Sequence, residues 1–173
     1  MLPICNSFSS FSSFPSELKA LDQWVIHRKK IPYDAKTVRN ASVSDSATWS
    51  SFEKALKVCT ENHYDGLGFV FTDGQGYVGI DIDTCRDPAT NRISDGAKNL
   101  INLFDSYTEI SPSGYGIHIF IRADAGFKLP RHRYKMKPNG ILRTDPATNK
   151  QKTPELEIYN GARYFTVTGN VYG

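Results

Sequence analysis

The chain has 173 residues, 39% of them apolar, with a formal net charge of +3, which suits one domain with one good core. No apolar run approaches the roughly 20 residues that a membrane helix requires, so no membrane-spanning helix is expected. Cys5, Cys59 and Cys85 are far apart with no C-x-x-C spacing, which indicates neither a zinc ribbon nor a disulfide framework and makes a reducing cytoplasm the natural compartment.

Residues 1–15 form a Ser/Phe-rich tract without a basic n-region, expected as a flexible or loosely docked leader before a single domain over 16–173. Ser16–Asp22 reads as a short helix, Trp24–Lys29 as a strand and Lys30–Ser46 as a loop. A helix is expected from about Thr48, its N-cap, with Trp49, Phe52, Leu56 and Cys59 at helical spacing. Leu67–Phe71 and Tyr77–Asp83 read as strands joined as a hairpin by Thr72-Asp73-Gly74-Gln75-Gly76. A helix over Asp95–Phe104 should bury Leu100, Ile101, Leu103 and Phe104. Two β-rich runs between Thr108 and Ala123 are broken by Pro112, Gly114 and Gly116, and strands follow at Ile141–Thr144, Leu156–Tyr159 and Tyr164–Thr168. The pentapeptide Asp-Pro-Ala-Thr-Asn at 87 and 145 is expected to form a turn in both copies. Strands clustered with few helices predict an α+β domain whose sheet faces are covered by helices.

The chemistry concentrates in Gly79-Ile80-Asp81-Ile82-Asp83, where an extended strand sends both carboxylates to one face and both isoleucines to the other. Two such charges about 7 Å apart repel by about 2 kcal/mol at an effective dielectric near 20, and oxygen-only ligands favour Mg²⁺ or Mn²⁺. In Ile117–Arg122 the polar side carries His118, Phe120 and Arg122 and should face away from the core. Leu156–Tyr159 repeats the pattern with Glu157 and Tyr159, so neighbouring strands would merge their polar faces. Between Arg122 and Lys152 nine basic residues stand against two acidic ones, interleaved with aromatic side chains. Arg122, Lys128, Arg131, Arg133, Lys135 and Lys137 are therefore candidates for gripping a nucleic-acid backbone.

G-I-D-I-D, then S-P-S-G-Y-G-I-H-I, L-E-I-Y and R-Y-F-T-V-T-G in that order, with Gln23-Trp24-Val25 and Lys29-Lys30-Ile31-Pro32-Tyr33 before them, resemble the primase-polymerase domain of the archaeo-eukaryotic primase superfamily. The version resembled is that of phages, plasmids and integrated elements, over about Leu18 to Gly173. The resemblance implies an RRM-like antiparallel catalytic sheet joined to an N-terminal α/β unit with the active site between them. It also implies metal-binding carboxylates at Asp81, Asp83 and Glu157 holding two divalent ions, Mg²⁺ or Mn²⁺. Ser113, Gly114, Gly116 and His118 correspond to nucleotide-binding positions, Arg163 to a basic residue near the site, and Lys30 to a template or nucleotide contact. The implied partners are a single-stranded DNA template, a primer strand and NTP or dNTP, in replication of a mobile element or phage in the cytoplasm of a bacterial cell. Such proteins are commonly longer, with an accessory helical domain and a helicase domain that these 173 residues do not contain.

Two other classes fit less well. Gly66-Leu67-Gly68-Phe69-Val70-Phe71 partly mimics an RNA-binding RRM signature, but Asp65, Leu67 and Thr72 depart from it. A rolling-circle nicking initiator needs a His-hydrophobe-His triplet, and His118-Ile119-Phe120 lacks the second histidine.

Overall fold

The computed structural model describes residues 11–124, 126–129, 132–135, 143–144, 149–152 and 154–173. In chain order the elements are α1 (Ser16–Lys19), β1 (Trp24–Arg28), β2 (Ile31–Tyr33), α2 (Phe52–Glu61), β3 (Gly66–Phe71) and β4 (Tyr77–Asp83). There follow α3 (Asp95–Phe104), β5 (Thr108–Ile110), β6 (Ile117–Arg122), β7 (Arg133–Lys135), β8 (Arg143–Thr144), β9 (Gln151–Lys152), β10 (Glu155–Tyr159) and β11 (Arg163–Val167). The fold is α+β. A four-stranded sheet ordered β11-β3-β1-β2 and a five-stranded sheet ordered β5-β6-β4-β10-β7 carry most of it, with antiparallel pairing throughout both.

The hairpin expected from β3 to β4 does not form. Gly74 and Gly76 take positive φ and turn the chain, but β3 is buried along almost its whole length and is paired on both edges, by β1 and β11. The turn residues specify a change of direction, not a partner, and β4 crosses to the second sheet. The expected loop at 30–46 instead opens with β2, because Lys29 (φ 51°) and Lys30 (φ 63°) form a two-residue turn of the type that matches strand twist. Two lysines at left-handed φ carry none of the Asn-Gly signal for such a turn.

Helix α2 starts later than its spacing suggests. Ser51 is the N-cap, its hydroxyl accepting from the Lys54 amide at 3.3 Å. Thr48 ends a short 3₁₀ turn, and Trp49 packs with Val25 and Val70 on the outer side of the first sheet. Helix α3 spans the expected residues with Ser94 as N-cap and buries Ala97, but Leu103 points outward, 73% exposed. Spacing of i, i+3, i+4 and i+7 selects Ala97, Leu100, Ile101 and Phe104 as the inner face and leaves Leu103 off it.

The main core lies between the sheets and α2, built from Trp24, Phe52, Leu56, Phe69, Phe71, Phe120 and Phe165 among others. A second core sits between α3 and the Ile80, Ile82, Ile117, Ile119 side of the five-stranded sheet. Both faces of that sheet are thus covered, so His118 and Phe120 are buried, against the expectation of an outward polar face. Phe11 and Phe14, expected in a loosely docked leader, are only 3% exposed, with Phe14 ring-packed on Trp24, Tyr107 and Phe120. Cys85 is a free buried thiol. Cys59 is disulfide-bonded and buried in the main core; a single bonded cysteine does not make a disulfide framework. Among the described residues no helix is long and apolar enough to cross a membrane.

Candidate active site

Register aligns the acidic strand with its neighbours. Asp81 on β4 stands opposite His118 on β6 and opposite Glu157 on β10, while His118 stands opposite Glu109 on β5. Directly opposed residues of an antiparallel pair share a face with Cβ atoms about 5 Å apart, so these four side chains form one polar row across the sheet. His118 Nε2 lies 3.7 Å from Asp81 Oδ1. Burial pushes the Asp81 carboxyl above the usual carboxylate range, Asp83 and Glu157 add to the rise, and His118 opposes it. Burial by itself would depress His118, but its hydrogen bond to Glu109 and the Asp81 and Glu109 charges outweigh that, and the imidazole is raised.

The row opens into a cavity of about 710 Å³ between the two sheets. Asp81, Asp83, Ser111, Ser113 and His118 line it from the five-stranded sheet and its loop, and Arg163–Thr166 and Lys30 from the four-stranded sheet. Lys152 and the segment 41–43 complete the wall. Two carboxylates facing Lys30, Lys152 and Arg163 make a site that attracts a polyanion and a cation together.

No known family model matches the chain. Over 165 residues, 90% of the chain, it is 33% identical to a DNA primase-polymerase of Nitratiruptor phage NrS-1. The chain belongs to the primase-polymerase family. It spans 20% of that relative's length.

The cavity gathers Asp81, Asp83, Ser113, His118, Arg163 and Lys30, all of them candidates on the sequence. Glu157 stands beside it: its Oε2 receives the Tyr159 hydroxyl at 3.0 Å and lies 3.8 Å from Arg163 Nη2. Among the described residues no group of three or more His, Cys, Asp or Glu side chains is gathered in a metal-holding arrangement. Gly114 (φ 75°) takes the left-handed turn of the loop after β5, and its carbonyl accepts from Arg86 Nη1 at 2.7 Å. Gly116 is tight against β4, where a Cβ would lie 2.7 Å from the Ile82 carbonyl oxygen.

The basic segment is less tightly placed. Arg122 is exposed and lies over the Tyr77 ring, donating to its hydroxyl at 3.3 Å, four residues along β6 from His118. Lys128 is exposed on a loop, Arg133 and Lys135 are on the edge strand β7 opposite Glu157 and Glu155, and Arg131 and Lys137 lie outside the described residues. Arg122 and Lys128 do not line the cavity. Phe69 and Phe71, the aromatics of the RRM-like run, are fully buried and offer no stacking surface.

The sequence reading missed Glu109 and Ser111, and counted Lys152 only within the basic segment. Glu109 has 0% exposure and contacts His118 at 3.3 Å. Its signal was available in the alternation of Thr108-Glu109-Ile110, which puts Glu109 on the face of His118 once β5 pairs with β6.

Proposed function

We propose that this cavity catalyses template-directed nucleotidyl transfer, joining NTP or dNTP to a primer 3′ end, or to a first nucleotide, on single-stranded DNA. In the step the 3′-oxygen attacks the α-phosphorus, the bond from that phosphorus to the β-phosphate oxygen breaks, pyrophosphate leaves, and the hydroxyl proton passes to solvent. The observation that carries the reading is the meeting of Asp81 and Asp83 with His118, Lys30, Lys152 and Arg163 around one cavity.

The donor set fits a divalent ion. Mg²⁺ is usually held by one or two carboxylates plus substrate phosphates and water, and a cation here would offset the burial and the neighbouring carboxylates that lift Asp81. Asp81 and Asp83 would hold Mg²⁺ or Mn²⁺, with Glu157 as a third carboxylate beside them. Bound divalent ions supply activation of the 3′-hydroxyl and neutralisation of the departing pyrophosphate. Lys30 and Arg163 receive phosphate charge, Arg163 through a forked, always-charged guanidinium. Ser113 presents its hydroxyl, and His118 presents Nε2, to the triphosphate. Gly114 and Gly116 keep the loop backbone close to it. Arg122, Lys128 and the β7 residues Arg133 and Lys135 carry the template strand outside the cavity, and a helicase or accessory domain acts with this one in replication.

The test is product formation from labelled nucleotides on a single-stranded DNA template with Mg²⁺ or Mn²⁺, with and without primer. Metal-dependent, template-dependent products support the reading. DNA binding without products under either metal favours a non-catalytic nucleic-acid-binding module instead.

A further inference from the structure

The buried carboxylate of Glu109 is used by nothing in the reaction described above, yet four donors converge on it. Oε1 receives the Thr168 amide at 3.0 Å and lies 3.3 Å from His118 Nδ1. Oε2 receives the Gly169 amide and the Tyr107 hydroxyl, both at 3.0 Å. Backbone amides can only donate, and a carboxylate oxygen filled in this way is an acceptor, so Nδ1 of His118 is the donor in their contact. Phe165 lies against the same imidazole, ring centroids 5.1 Å apart and planes at 36°. The ring is therefore held at its edge by Glu109 and at its face by Phe165, which leaves Nε2 directed to Asp81 and the cavity.

We propose that Glu109 is a positioning residue for His118, fixing the ring with its Nδ1–H toward β5 so that Nε2 meets the triphosphate of the incoming nucleotide. The nucleotide part of this statement rests on the function proposed above; the ring state does not. Glu109 also joins separate parts of the chain, because Thr168 and Gly169 close the R-Y-F-T-V-T-G segment that begins at the cavity residue Arg163. Partners that orient a metal-ligating imidazole through its second nitrogen change affinity or activity about 10–100-fold when removed, and an effect of that order is expected for the ring of His118.

Two measurements test it on the whole chain. Two-bond ¹H–¹⁵N correlation spectra of ¹⁵N-histidine-labelled protein report which ring nitrogens of His118 carry a proton. A protonated Nδ1 is expected, and a bare Nδ1 overturns the proposal whether or not the protein synthesises DNA. In primer extension, Glu109→Gln should raise KM for the incoming nucleotide on the order of tenfold with a smaller change in kcat. In a His118→Ala background the same substitution should have no further effect. An equal additional loss in both backgrounds means Glu109 acts only on the fold, and overturns the positioning role. If Glu109→Gln fails to fold, the wild-type spectrum decides. Absence of synthesis by wild type contradicts the functional reading while the spectrum still tests the ring state.

Discussion

Gly79 of β4 lies so close to Phe165 of β11 that a Cβ at position 79 would sit 2.6 Å from Phe165 Cε2. The two sheets meet there, two residues along β4 from Asp81, and the approach depends on a residue without a side chain. Gly79→Ala forces the rings of Phe165 and Phe71 to shift within a close-packed core and should destabilise the domain by about 1–3 kcal/mol. Urea unfolding midpoints check this, and an unchanged midpoint would mean that the sheets can part at no cost.

His27 makes the domain sensitive to acid. It is 7% exposed on β1, its Nδ1 has no hydrogen-bond partner among the described residues, and burial lowers its pKa from 6.5 to about 4. The unfolded chain therefore binds a proton that the folded chain does not between those two values, and stability rises with pH across that window. Full stability is expected above pH 6.5, with a loss of about 3 kcal/mol as pH falls to 4. His27→Gln should flatten this dependence in denaturation curves at pH 7 and 4.5, and an equally steep loss in the variant would assign the acid sensitivity elsewhere.

The Lys29-Lys30 turn carries a conformational cost next to the cavity. Both residues sit at left-handed φ, and Lys30 lines the cavity with its carbonyl held by the Tyr164 hydroxyl. Replacing the pair by Asn-Gly, the residues preferred in this turn, should stabilise the domain by about 1 kcal/mol while weakening synthesis through loss of the Lys30 charge. Thermal midpoint and primer-extension rate are expected to move in opposite directions.

Phe14 contributes to folding although it precedes the first helix. Phe14→Ala removes a ring packed on Trp24, Tyr107 and Phe120 and should cost about 3–5 kcal/mol. A change below about 1 kcal/mol would return this segment to the loosely docked role that its composition suggests.

The sequence was most legible where side-chain alternation met sharp punctuation. The period-two pattern of β4, β6 and β10 identifies the strands and their shared face, and Ser113, His118, Arg163 and Lys30, legible as candidates in the sequence, all line the cavity. Sheet assignment was not legible, because the Gly-rich turn after β3 specifies reversal while burial on both faces and pairing on both edges decide the partners of β3. Strand β2 was hidden by a turn built from lysines. Glu109 was passed over because an acid on a strand is ordinarily solvated, and only the pairing of β5 with β6 and the return of Thr168 and Gly169 show four donors waiting for it.

The central claim is that Asp81 and Asp83 serve metal-dependent nucleotidyl transfer, and the most direct measurement compares wild type with Asp81→Ala/Asp83→Ala in templated synthesis with Mg²⁺ or Mn²⁺ and with chelator. The account predicts products in wild type that vanish with chelator and fall by at least about a thousandfold in the variant, with the variant folded and no less stable, since two like charges are gone. Synthesis that persists in a folded double variant would contradict it.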